Sequence, residues 1–181
     1  LRPRRFAGRF AVEEQHIRLD SLSIENASWQ AQQSVHIALV QQAAAHEHLV
    51  ALGGEHGITL PLLRALAKRG GGPLALVHFD AHCDTWPESF GQRFSHGQPF
   101  FHAIEEGLVD PKRMIQVGIR SPVEPEVMAW TLGKGVTVLS AQAVHEAGPA
   151  SVAAGIVDVI GAAPAYLSFD IDALDPAFAP G

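Results

Sequence analysis

The sequence predicts an α/β domain built on a mainly parallel sheet with helices on both faces. Three observations predict it. Short apolar runs of strand length alternate with longer helical stretches, the pattern of parallel strands joined by crossover helices. The chain has 181 residues, 47% of them hydrophobic, which suits one domain over 1–181 and leaves little room for a second core. Polar residue types able to do chemistry follow directly on the strand-like runs, where open parallel sheets bind ligands.

The elements follow in order. Residues 1–28 carry no strong period. Trp29 to His48 is rich in Ala and Gln, with Val35, Ile37, Leu39 and Val40 between polar residues, and reads as a helix. The apolar run Leu49 to Leu52 stops at Gly53-Gly54 and reads as a buried strand. Ile58 to Arg69 reads as a helix, with Pro61 near its start where proline is tolerated. Gly70-Gly71-Gly72-Pro73 then stops a helix; it is no phosphate loop, because the strand Leu74 to Phe79 follows it. Asp80 to Gln98 is a long loop and Pro99 to Gly107 a short helix. Strands are expected at Met114 to Ile119, Val136 to Leu139 and Ala165 to Phe169, and helices at Pro122 to Leu132 and Ala150 to Ile160. The chain begins without Met and stops at Ala179-Pro180-Gly181, just after a strand and a loop, so it reads as part of a longer gene product.

Charge and cysteine content narrow the function classes. Lys and Arg number 13 against 19 Asp and Glu, a net charge of -6. A mildly acidic chain without a basic stripe argues against nucleic acid as a partner and suits a small cationic one. The single cysteine, Cys83, rules out an internal disulfide framework and favours a reducing, cytoplasmic compartment. No apolar run approaches a membrane span, and the basic start Leu1-Arg2-Pro3-Arg4-Arg5 has no apolar stretch behind it as a secretory signal would.

Three strand ends concentrate metal-ligand residue types: Glu55-His56, then Asp80, His82 and Asp84 around Cys83, then Asp170 and Asp172. In extended chain, alternate side chains share a face. Asp80, His82 and Asp84 can therefore point one way, and so can Asp170 and Asp172, with His56 as a sixth. Four carboxylates crowded together would force protonation of several, unless divalent cations balance them. The set is oxygen-rich, with two imidazoles and no thiolate, which favours manganese over structural zinc. Singly, each group has a blander explanation: Asp-x-His is common in solvated loops, and a lone histidine more often caps a helix or sits in a core. Their conjunction at three successive strand ends outweighs it. Cys83 falls between ligands in the alternation and should point away. His78 lies deeper on the ligand face and is expected to support the ligands from behind.

The strings Leu52-Gly53-Gly54-Glu55-His56, His78-Phe79-Asp80-Ala81-His82-Cys83-Asp84 and Ser168-Phe169-Asp170-Ile171-Asp172-Ala173-Leu174-Asp175-Pro176, with Ser95-His96-Gly97, resemble the signatures of the ureohydrolase (arginase/agmatinase) family. The resemblance implies a three-layer α/β/α fold, two Mn2+ ions, symmetric homo-oligomers, and hydrolysis of a guanidino compound to urea and an amine. It implies one ion on His56, Asp80, Asp84 and Asp170 and a second on Asp80, His82, Asp170 and Asp172, with Asp80 and Asp170 shared. Asp84 would aim the attacking hydroxide, and His96 would pass a proton to the leaving amine. Glu55 departs from the Asp usual there, which should alter the surroundings of the metals and not their binding. The glutamate that holds the guanidinium in the family lies beyond Gly181.

Trp86 stands where arginases carry an Asn that grips the amino-acid head group, which disfavours arginine. Agmatine is the expected substrate. 4-Guanidinobutyrate comes next, with Arg93 available to pair its carboxylate; Trp86 and Phe90 otherwise serve packing. Two competing classes are a non-catalytic ureohydrolase-like regulatory subunit and a deacetylase-like hydrolase. The intact ligand set counts against the first, and its two-metal character against the second.

Overall fold

The computed structural model describes residues 49–180 apart from 54 and 90. The helix expected from Trp29 to His48, and Gly54 and Phe90, lie outside the described residues. In chain order the elements are α1 (Thr59–Gly70), β1 (Leu74–Phe79), α2 (Pro99–Glu105), β2 (Val109–Ile119), α3 (Pro125–Lys134), β3 (Thr137–Ser140), α4 (Ala141–Ile160) and β4 (Ala165–Phe169). Short 3-10 turns at His56–Ile58 and Ile171–Ala173 precede α1 and follow β4. The strands form one parallel sheet in the order β3-β2-β1-β4.

Alternation along the central strands sorts side chains between two apolar layers. On one face Leu76 and Met114 pack with Leu60 and Leu63 of α1 and Phe100, Ala103 and Ile104 of α2. On the other, Val77, Ile115 and Val117 meet Val152 of α4, with Ile156 and Val159 against them. The result is the three-layer α/β/α arrangement. Each fully buried leucine contributes roughly 1.5–3 kcal/mol relative to exposure. The same alternation puts His78 and Gln116 on the α1 and α2 face, so β1 delivers its polar residues to that side of the sheet.

Helix ends carry the chemistry their positions need. Gly71 takes a left-handed φ of 72° after α1, and Lys68 and Arg69 occupy its last turn, where the helix dipole favours cations. Prolines open α2 and α3, where no backbone N–H is required.

Two expectations need correction. Leu49 to Leu52 forms no strand: residues 49–53 have no ladder partner, and Leu52 is 96% exposed. Both edges of β1 are occupied, by β2 and β4, and so short an apolar run cannot distinguish strand from coil by itself. The last long helix starts at Ala141, not Ala150. Ser140 caps it, its hydroxyl accepting from the Ala143 N–H at 3.1 Å. Gly148 (φ 75°) and Pro149 then kink the helix, which hides its first two turns from a periodicity reading.

Candidate metal centre

The chemistry-bearing residues meet beyond the carboxyl ends of β1 and β4. Asp80 follows β1 directly and is buried, and its N–H donates to the Val117 carbonyl at 3.1 Å. Gly118 makes that approach possible: its φ is 102°, and a Cβ there would lie 3.2 Å from the Asp80 carbonyl oxygen. Simple alternation does not converge the remaining ligands. Asp84 is placed by a left-handed backbone, φ 49°, tolerated by aspartate and costly for most residues. Asp170 ends β4 in extended conformation and its Oδ1 accepts from the Asp172 N–H at 3.1 Å, which turns the chain and sets Asp172 in a 3-10 turn.

Two sub-clusters share Asp80. In the first, His56 Nδ1 lies 2.8 Å from Asp84 Oδ2, 3.1 Å from Asp80 Oδ2 and 3.6 Å from Asp170 Oδ2. In the second, His82 Nδ1 lies 2.9 Å from Asp172 Oδ2 and 3.3 Å from Asp80 Oδ1. Asp80 thus turns one oxygen to each group. An open cavity of about 420 Å3 is lined by all six of these residues together with Glu55, Trp86, Ser89, His96 and Gly97.

The supporting hydrogen bonds fix which ring nitrogen faces the carboxylates. His56 Nε2 and the Ser168 hydroxyl are 2.7 Å apart; Nε2–H donating there leaves the Nδ1 lone pair for the cavity. His78 is fully buried behind Asp80. Gln116 Nε2 donates to His78 Nδ1 at 3.3 Å and to the Cys83 carbonyl, so His78 Nε2–H donates to Asp80 Oδ2 at 2.8 Å. His78 is buried and bonded to Asp80, and it also stands close enough to His56, Asp80 and Asp84 to be a ligand itself; Gln116 and Ser168 were not singled out from sequence. Ser168 sits two residues before Asp170 on a strand, and that spacing was the available signal. Gln116 lies on a neighbouring strand, so its place beside His78 depends on the register of β1 and β2.

Electrostatics express the crowding. Burial opposes a charge on His56, yet Asp80 and Asp84 outweigh it and push the imidazole up to about 10. Burial alone would raise Asp80, but the imidazole of His56 against it and the hydrogen bond from His78 hold it far below the usual carboxylate range. Asp172 is raised, by burial first and then by the like charges of Asp80 and Asp170. Burial also raises Glu55, whose carboxylate accepts from the Gly57 N–H and lies 3.9 Å from His96 Nδ1. His96 itself is largely exposed at the cavity rim.

These residues fit divalent cations. His56 Nδ1 is buried and makes no aligned hydrogen bond, although carboxylate oxygens surround it. An imidazole nitrogen facing several carboxylate oxygens is, once deprotonated, the arrangement of ligands around an ion. The donor set of four carboxylates and two imidazoles suits hard to borderline divalent metals. Cys83 is buried and absent from the cavity lining, as its place in the motif implies.

A parallel α/β/α sandwich whose strand ends gather such a donor set defines an α/β protein with a candidate two-cation centre. The arginase family model matches residues 8–181, and the chain belongs to the arginase family. It is 47% identical over 139 residues to an agmatinase of Chromobacterium violaceum, a match covering 76% of this chain and 41% of that protein. It is 48% identical over 138 residues to an agmatinase of Proteus mirabilis, covering 76% and 42% of the two chains. The structure of proclavaminate amidino hydrolase from Streptomyces clavuligerus superposes with a TM-score of 0.79 at 42% identity, over 84% of this chain and 50% of that one. The chain thus spans half or less of the length of these relatives.

Proposed function

We propose that the complete protein hydrolyses a linear guanidine to urea and an amine, using two divalent ions, with manganese the favoured metal and agmatine the favoured substrate. The observation that carries the reading is the convergence of His56, Asp80, His82, Asp84, Asp170 and Asp172 on one cavity. Similarity to agmatinases supports the substrate choice. His56, Asp80, Asp84 and Asp170 would hold one ion, and Asp80, His82, Asp170 and Asp172 the other. When bound, such ions would offset the four carboxylates and lower the pKa of a water to about neutral.

The protein's own residues account for the rest. The acidic lining draws in the guanidinium cation. Asp84 is buried and fixed by its backbone, and its carboxylate accepts a hydrogen bond from the attacking water and aims it at the guanidinium carbon. A C–O bond forms and a C–N bond breaks, and the departing nitrogen needs a proton. His96 at the rim, beside Glu55, supplies it. A homo-oligomeric, cytoplasmic protein belongs to the same reading, through the family and the lone cysteine. The test is urea release by the Mn2+-loaded complete protein from agmatine, arginine and 4-guanidinobutyrate. Agmatine should be turned over fastest, and D84N and H96A should each lose at least about 100-fold in kcat. Metal binding without urea from any of them would favour a regulatory subunit.

A further inference from the structure

We propose that Arg120 is the positioning residue for the second ion: its guanidinium clamps the turn that presents Asp172, so its removal loosens one of the two divalent ions and leaves the other bound. The inference rests on the two-ion reading above and adds a residue outside the proposed ligand set.

Arg120 follows β2 directly, whereas Asp172 lies in the 3-10 turn after β4. β1 stands between those two strands in the sheet, and the long arginine stem crosses that gap. The guanidinium donates to three successive carbonyls. Nη2 donates to that of Asp172 and, at 3.1 Å, to that of Leu174, and Nη1 donates to that of Ala173 at 3.4 Å. A guanidinium is a rigid planar fork of donors, so it can hold several acceptors in one arrangement. The turn's own backbone bonds run from the Ala173 and Leu174 N–H groups to the Asp170 and Ile171 carbonyls. Arg120 takes up the three carbonyls that come next along the chain.

The grip fixes the backbone of Asp172 and leaves its carboxylate to an ion. Asp170 Oδ1 accepts from the Asp172 N–H at 3.1 Å and Arg120 takes the Asp172 carbonyl, so the residue is held at both ends. Its Oδ1 accepts from the Ala81 N–H at 3.0 Å, and its Oδ2 stands 2.9 Å from His82 Nδ1. The main chain of Arg120 closes the same web. Its N–H donates to the Ala81 carbonyl at 2.9 Å, and the Ser121 N–H donates to the same oxygen at 3.0 Å. Ala81 lies between Asp80 and His82, so the web joins all three members of the second sub-cluster. The first sub-cluster has separate supports: Ser168 on His56, the left-handed backbone at Asp84, and His78 behind Asp80. Loss of the guanidinium therefore falls on one ion.

The experiment uses the complete protein, stripped of metal and titrated with Mn2+. Calorimetry gives the affinity of each ion, and metal analysis after gel filtration gives the number retained. Electron paramagnetic resonance shows whether two Mn2+ ions are exchange-coupled. The wild type should bind a coupled pair. R120M, which keeps a stem and no donor, should weaken the second ion roughly tenfold or more and leave the first unchanged. Excess Mn2+ should then restore the coupled signal. R120K, a point charge that cannot span three carbonyls, should show a smaller loss of the same ion, and it decides the matter if R120M does not fold. On a D172N background R120M should add little, since both changes act through one ligand. If the wild type binds two ions and the variants keep both, or lose both equally, the clamp is wrong and the two-ion reading stands. A wild type that binds one ion or none overturns both. Selective loss of the second ion, with no urea formed from any guanidine, leaves the clamp standing and sinks hydrolysis.

Discussion

At the scale of single residues, His56 joins the architecture to the chemistry. Its Nε2 is tied to Ser168 and its Nδ1 faces Asp80 and Asp84. In the metal-free protein its pKa stands at about 10, so it is charged at neutral pH. A raised folded-state pKa contributes stability that is fully present below the ordinary value near 6.5 and is lost as pH rises through about 10. The metal-free difference in unfolding free energy between wild type and H56Q should therefore shrink as pH climbs from about 7 to above 10. Metals need the neutral ring. Loading with Mn2+ near pH 8 should accordingly expel a proton from His56, seen as a heat that varies with the ionisation enthalpy of the buffer. A buffer-independent heat, or the same dependence in H56Q, would contradict this assignment. The residue types at this site were legible because carboxylate and imidazole are the ligand chemistry itself. Ser168 and Gln116 were not, since their significance lies in partners that only tertiary structure brings near.

At the scale of elements, the strands were legible where apolar runs end in polar residues. β4 occupies the expected residues, Ala165–Phe169, and β1 the expected Leu74–Phe79. Reading failed where local signals conflict. Gly148-Pro149 hid the start of α4, although Ser140 was a capping signal in plain view. Alternation predicted convergence of Asp80, His82 and Asp84, but a left-handed Asp84 and a 3-10 turn at Asp172 accomplish it. The join between β1 and β2 passes through Gly118, where a φ of 102° and a 3.2 Å approach to the Asp80 carbonyl oxygen would both strain a side chain. Gly118→Ala should cost at least about 1 kcal/mol in urea denaturation and weaken metal binding, because the strain falls on the backbone of Asp80, the proposed shared ligand. A neutral substitution would show that this junction adapts freely.

At the scale of the whole molecule, the proposed metal centre would make folding and cation binding one equilibrium. Burial first, and then the like charges of Asp80 and Asp170, raise Asp172, and a divalent cation would relieve that crowding. Stripping divalent ions with a chelator should lower the thermal midpoint, and restoring Mn2+ at about 100 times its dissociation constant should return roughly 2.7 kcal/mol. An unchanged midpoint would mean that the carboxylates hold no ion that matters to the fold. Among the described residues no helix is long and apolar enough to cross a membrane.

Cys83 stands inside the stretch that carries three of the candidate ligands, and none of its surface reaches solvent. Burial also raises its pKa, which keeps the sulfur in its sluggish, protonated form. An alkylating reagent can reach that sulfur only after the surrounding stretch has come apart. The molecule therefore carries its own tamper seal: a thiol that stays silent while the ligand loop is intact and takes a covalent mark when it opens.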